Sequence, residues 1–202
     1  MRSLVLLAAA LSLLPVPAAA QPVQGSSPGA RRAVQQFGAC VADQSPEKSA
    51  RTLAMDFRSP TYRSALNNLA RANEGCFGYR GAMRSSRLLL AGAIAERLMA
   101  RDPAPLNARL VRAAARAAPP ARSPSDSIAM CVVRSAPDES ARLFASEVAS
   151  EAEAQAAKSL DVAVRLCSQG QRPLVINLEG LRAMLATAAF RNVDPVALAE
   201  RG

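Results

Sequence analysis

Histidine and tryptophan are absent from this 202-residue chain, and aromatic residues make up only 3% of it. Without histidine, neither Ser-His nor Cys-His catalysis can be assembled within the chain, and the commonest general base and metal ligand is missing. No Gly-x-Gly-x-x-Gly or phosphate-loop pattern occurs, which removes the usual nucleotide-binding signatures. No Cys-x-x-Cys occurs either, so the cysteines suit neither a redox pair nor, lacking histidine, a zinc set. Lysine appears only as Lys48 and Lys158, so arginine carries nearly all the positive charge. The scarcity of β-branched and aromatic residues, beside abundant alanine and leucine, argues for an all-α protein.

The amino terminus reads as a targeting segment. Arg2 gives a positive start, and Leu4 to Leu14 is apolar apart from Ser12. Pro15 and Pro17 interrupt it before Ala18-Ala19-Ala20 and Gln21. This is the layout of a secretory signal peptide over residues 1–20, cleaved near Ala20, and it predicts a periplasmic or secreted protein. Its apolar run is shorter than the roughly 20 residues a membrane span needs. No later stretch is long and apolar enough to cross a bilayer, so no transmembrane segment is expected after cleavage.

The remainder is organised by a repeat. Cys40 and Cys76 are 36 positions apart, as are Cys131 and Cys167, and the second pair follows the first by 91 positions. At that offset Val41 meets Val132, Pro46 meets Pro137, and Ser49-Ala50-Arg51 meets Ser140-Ala141-Arg142. Leu69 meets Leu160 and Leu90 meets Leu181. Shared cysteines, prolines and Ser-Ala-Arg triplets in gapless register predict an internal duplication. In an oxidising compartment an even set of cysteines forms disulfides. Four cysteines allow three connectivities; the duplication favours Cys40–Cys76 and Cys131–Cys167. Closing a loop of that length stabilises by roughly 3–4 kcal/mol.

Each copy reads as four short helices. In the first, Val34, Phe37 and Val41 share a face from about Arg31 to Asp43. Ser45-Pro46-Glu47 offers a cap, a first-turn proline and a first-turn acid, and opens a second helix to about Met55. A third begins at Ser59-Pro60. Gly78 and Gly81 lead to a fourth, striped by Leu90, Ile94 and Leu98. In the second copy the helices open near Ser127, at Pro137, at Ser150 with its Ser-x-x-Glu capping box, and after Gly170 and Pro173. Cys76 and Cys167 fall on the apolar stripes of the third helices. The expected division is a signal peptide at 1–20, a disordered leader at 21–30, repeat one at 31–100, a Pro/Ala/Arg connector at 101–126 and repeat two at 127–202. Within the connector a short helix is expected over 106–118. Asp194-Pro195 would open a brief terminal helix. The two four-helix units, each with one disulfide, are expected to pack as a pseudo-two-fold pair that buries their fourth helices, because each alone has a thin core.

Candidate chemistry is sparse. Glu96, Asp102 and Glu179 lie near fourth-helix positions and Glu74 lies beside Cys76, which leaves a hydrolase using carboxylates alone as a remote alternative. At the repeat offset Glu74 falls on Arg165, Glu96 on Thr187 and Glu179 on Leu88, so no acidic pair is repeated, and solvated surface explains the acids. No catalytic, metal-ligating or cofactor-binding residue is therefore assigned. The formal net charge is +9. Arg109, Arg112 and Arg116 fall along one side of the connector helix and, with Arg31-Arg32, are the candidates for binding an anionic envelope polymer or a membrane surface. Nucleic acid is disfavoured, since few aromatics are present for base stacking. The Ser-Ala-Arg triplets read as arginines packing over their own helices rather than as a repeated partner contact.

Phe37-Gly38-Ala39-Cys40-Val41 with the Pro46 helix start, and Leu90-Ala91-Gly92-Ala93-Ile94-Ala95-Glu96, give the chain a resemblance. It is similar to exported, duplicated, disulfide-containing helical proteins of high-GC Gram-negative bacteria. That resemblance implies export and duplication and carries no activity. The sequence thus points to an exported non-enzymatic structural or interaction module, its partner an envelope protein or an anionic polymer.

Overall fold

The computed structural model describes residues 25–78, 85–172 and 174–193. These form ten α-helices and one 3-10 turn, with no strand among the described residues. The expected signal peptide, Gly81, Pro173 and the expected Asp194-Pro195 helix start lie outside them.

In chain order, α1 spans Pro28–Gln44, α2 Pro46–Ala54 and α3 Pro60–Ala72, followed by the 3-10 turn Glu74–Cys76 and α4, Arg87–Ala100. Then come α5, Leu106–Ala114; α6, Pro124–Ser135; and α7, Pro137–Ala145. The chain ends with α8, Glu151–Ser159; α9, Asp161–Cys167; and α10, Leu178–Val193. Short helices need defined starts, and this chain supplies them chemically. Five have a proline in the first turn, and the hydroxyls of Ser27, Ser59, Ser86, Ser123 and Ser150 each accept from the backbone N–H three residues on. Each satisfies a donor the helix leaves open. Ser45 differs: it makes no such cap, and its hydroxyl donates to Asn73 Oδ1 at 3.2 Å.

The centre is the pair α4–α10. α1 packs along α4, α6 along α10, and α5 bridges α6, α7 and α10. Both central helices are buried nearly all round: Ala91 to Glu96 in α4, and Ala183 to Ala186 with Ala188 to Phe190 in α10. Small residues let them approach closely. A Cβ on Gly38 would lie 2.4 Å from Ala93 Cβ, and one on Gly92 would lie 2.5 Å from Ala183 Cα. Glycine is needed at both places. The apolar core around this pair includes Val41, Leu66, Leu98, Leu143, Leu160 and Phe190.

Both disulfides form as the offset suggests, Cys40–Cys76 and Cys131–Cys167, with Cα atoms 5.7 and 5.8 Å apart. They fit a chain that folds outside the reducing cytosol. No helix among the described residues is long and apolar enough to cross a membrane.

Four boundaries differ from expectation, the first being that α3 ends at Ala72, so Cys76 lies in the following 3-10 turn and not on the third helix. The leader is helical from Pro28, because Ser27-Pro28 starts α1 three residues before the expected start at Arg31. The 101–126 connector contains α5 and the first turn of α6, and buries Leu110, Ala113 and Asp126. The third helix of the second copy is two helices, interrupted at Leu160. Leu160 is fully buried, and its N–H bonds three residues back to Ala157, so the chain tightens there before α9 resumes.

Candidate functional site

Among the clefts lined by α4 and α10, two have linings that correspond at the 91-position offset. The first is lined by Arg31, Gln35, Glu96, Glu179 and Arg182. Arg182, on α10, donates from Nε and Nη2 to the Glu96 carboxylate at 2.8 and 2.7 Å, and from Nη1 to Glu153 at 3.1 Å. Glu153 also takes Arg31 Nη2 at 2.7 and 2.6 Å, and Gln35 donates to Glu96 at 3.0 Å. Arg31 Nε faces Glu179 at 3.5 Å. Glu153 is fully buried, and Arg182 and Glu96 are nearly so. Burial pushes the Glu96 carboxyl above its ordinary value, against the pull of Arg182, while neighbouring Glu153 adds to the rise. Burial also opposes the charge on Arg182, yet the hydrogen bonds and charges of Glu96 and Glu153 hold its pKa above the usual value.

Glu153 is reached through local structure. Ser150 caps α8 by accepting the Glu153 N–H at 3.1 Å, and the Glu153 carboxylate accepts the Ala149 N–H at 2.9 Å. The capping box thus reaches one residue further back than the expected Ser150 N–H. Ala149 sits at φ 62°, a left-handed conformation that a non-glycine residue rarely adopts. That strained turn aims Glu153 inward at Arg31 and Arg182. The free space left in this cleft is about 30 Å³, room for a water or two.

The second cleft lies across the central pair, with a volume of about 560 Å³. Its lining is displaced by 91 positions from that of the first. Arg122 stands for Arg31, Asp126 for Gln35, Met184 for Ala93, and Leu88 for Glu179. The decisive exchange is that Glu96 and Arg182, which fill the first cleft, correspond to Thr187 and Ala91 in the second. Glu153 corresponds to Tyr62, which also lines the second cleft. Loss of a guanidinium and a carboxylate leaves the space open.

The open cleft has polar groups on an apolar wall. Leu53, Met184 and Ile176 line it, and the exposed apolar residues Phe57, Leu88 and Val175 stand at its opening. Arg191 pairs with Asp126 inside it. Burial lowers the Arg191 pKa, partly offset by the Asp126 charge. Arg122 donates to the Ala54 and Met55 carbonyls at the end of α2. Arg87 is exposed and makes no ion pair among the described residues. Burial raises the Tyr62 hydroxyl pKa against the positive charges of Arg122, Arg87 and Arg191, so the phenol stays protonated at neutral pH.

The residues singled out in the sequence are distributed unevenly. Glu96 and Glu179 meet in the first cleft, joined by Glu153. Asp102 lies apart, 3.3 Å from Arg109, and Glu74 is exposed. Arg109 is turned to the chain itself: its Nη1 donates to the Met99 carbonyl at 2.7 Å, and burial lowers its pKa. Arg112 is exposed on α5, while Arg116 lies beyond the end of that helix. Ser49 and Ser140 are both fully buried with no hydrogen-bond partner for the hydroxyl, whereas Arg51 is exposed and Arg142 pairs with Glu139 at 3.0 Å. Among the described residues no group of three or more potential ligands is placed to hold a metal ion. No protein-family model matches the chain, and no curated protein or solved structure matches it.

Proposed function

We propose that the chain is an exported, non-enzymatic binding module built from two similar four-helix units related by a pseudo-two-fold axis. The axis would pass between α4 and α10. In support, α2 and α7 begin and end 91 positions apart, as do the starts of α3 and α8 and of α4 and α10. The single observation that carries a binding role is the pair of corresponding clefts, one closed by its own ions and the other open at about 560 Å³, within the range of roughly 300–1,000 Å³ that holds small molecules.

Catalysis by carboxylates alone draws little support. Its best candidates, Glu96 and Glu179, face arginines, and the cleft that holds both has only about 30 Å³ of free space. The anionic-polymer reading is weakened by how many arginines serve the fold. Arg134, for example, donates to the carbonyls of Ala113, Ala114 and Arg116.

The test is native mass spectrometry of the oxidised, signal-cleaved protein with a panel of sugars, nucleotides, amino acids, short anionic oligomers and single-chain amphiphiles. The expected result is a one-to-one complex with one class and recovery of the ligand unchanged. Turnover of any panel member would replace the binding role with an enzymatic one. Absence of every complex would overturn it.

A further inference from the structure

Resting on the open-cleft reading above, we infer that the cleft between α4 and α10 binds a free single-chain amphiphile with a monoanionic carboxylate head, its tail in the cavity and its head at Tyr62 and Arg87. The walls ask for an apolar chain: Leu53, Ile176 and Met184 lie within, and Phe57, Leu88 and Val175 expose apolar surface at the opening. Isolated exposed apolar residues are ordinary, whereas a set of them around one concavity marks a binding surface.

The head follows from the charges. Arg191 is neutralised by Asp126, and Arg122 has its guanidinium turned to the carbonyls at the end of α2, its charge shared with Asp56. The Arg87 side chain makes neither hydrogen bond nor ion pair with the described residues. Tyr62 is 6% exposed and its hydroxyl makes no hydrogen bond to a described residue, leaving a phenol donor beside positive charge. One neutral donor and one uncommitted guanidinium match the two oxygens of a carboxylate. A cationic head would meet uncompensated like charge. The first cleft supplies an internal parallel: there the place of Tyr62 is taken by Glu153, a carboxylate of the chain itself held by Arg31 and Arg182. The open cleft would accept from solution the kind of group that the closed cleft already contains.

Calorimetric titration of the oxidised protein compares decanoate, hexanoate and decyltrimethylammonium below their micellar concentrations. Decanoate should saturate one site. Hexanoate, four methylenes shorter, should bind about 250-fold more weakly, since each buried methylene is worth roughly fourfold. The decyl cation should bind at least about tenfold more weakly than decanoate. Arg87→Gln alters only an exposed side chain and should weaken decanoate about tenfold without changing the hexanoate-to-decanoate ratio. Ala91→Arg with Thr187→Glu, which writes the filling of the closed cleft into the open one, should abolish binding. If that double variant fails to fold, Arg87→Gln and the head-group comparison still decide. Equal binding of both head charges, an unaltered affinity in Arg87→Gln, or association with phosphatidylglycerol vesicles in the absence of saturable decanoate binding would each overturn the proposal. A panel complex with a different ligand class would leave the binding role standing and remove only this ligand.

Discussion

Gly92 on α4 lies against Ala183 on α10, the residue 91 positions further along the chain, so closely that an added Cβ would fall 2.6 Å from Ala183 Cβ and 3.1 Å from its carbonyl oxygen. Two positions related by the repeat offset that touch each other sit where a pseudo-two-fold axis would run. The glycine is what brings the two backbones together. Gly92→Ala therefore sets two effects against each other. Alanine improves helix propensity by about 1 kcal/mol, but overpacking a core contact costs about 1–3 kcal/mol. The clash here is with backbone as well as side chain, so overpacking should win. Urea unfolding should show a net loss of at least about 1 kcal/mol, and an unchanged or higher midpoint would refute the close approach.

How much of this could be read beforehand depended on whether the signal was local. Pro46, Pro60 and Pro137 mark helix starts in the sequence, and the structure begins helices at all three. The same Ser-Pro signal stands at Ser27-Pro28 and Ser123-Pro124, but its proline-rich surroundings suggested leader and connector, and local chemistry prevailed over composition. The disulfide pairing followed from the offset. The closed cleft was not legible, because Arg31 meets Glu153 from 122 positions away and Arg182 meets Glu96 from 86. Buried ion pairs of that separation leave no periodicity. The open cleft was not legible either, although one sign was present: Glu96 falling on Thr187 already said that α4 and α10 differ at positions related by the offset.

Arginine, rather than lysine, should be required at Arg134. Its Nη1 donates to Ala113 O at 3.0 Å and Asn192 Oδ1 at 2.8 Å, and its Nη2 to Ala114 O at 2.9 Å and Arg116 O at 2.6 Å. These acceptors include carbonyls that the end of α5 leaves open. A lysine ammonium offers three donors from one point and cannot span four acceptors fixed by a planar fork. Arg134→Lys should lose about 1–3 kcal/mol despite keeping the charge. A stability equal to wild type would show the fork to be dispensable.

At Arg182 the cost should be larger and its origin separable. Arg182→Met strands Glu96 with only Gln35 as a partner and should destabilise by about 3–5 kcal/mol. Adding Glu96→Leu removes the stranded charge, so the double variant should be more stable than Arg182→Met alone. If the second substitution only deepened the loss, packing rather than charge burial would be the controlling effect at this cleft.

The two disulfides close loops of equal sequence separation, 36 positions each. Their effect on the unfolded chain is therefore the same, about 3–4 kcal/mol apiece in the chain-entropy account. They differ in access, since Cys131 is exposed while Cys40 is half-buried. Titration with a small phosphine under native conditions should reduce Cys131–Cys167 first. Each paired Cys→Ser variant should nonetheless lose a similar amount of stability. Reduction in the opposite order would mean that local opening, not static exposure, controls access.

Two carboxylates should respond to pH in opposite directions. Asp56 is held at a pKa of about 2 by hydrogen bonds from the Arg58 side chain and backbone, against an ordinary 3.8. Its folded form releases the proton more readily than its unfolded form, so its contribution is fully present above the ordinary value. It is lost as pH falls through about 2. The pair is exposed on both sides, so the effect on stability is small, but carboxyl NMR should place the midpoint near 2, and Arg58→Ala should return it toward the ordinary value. Glu96 is the reverse case. Burial raises its folded pKa, so between the ordinary glutamate value and the folded one the native state binds the extra proton. Its contribution is present at low pH and declines as pH rises through that window. Glu96→Gln should remove this decline, so the wild-type stability profile minus that of the variant should slope downward above pH 4.5. An upward slope would mean that the Arg182 hydrogen bonds outweigh desolvation and that the pair is held fully ionised.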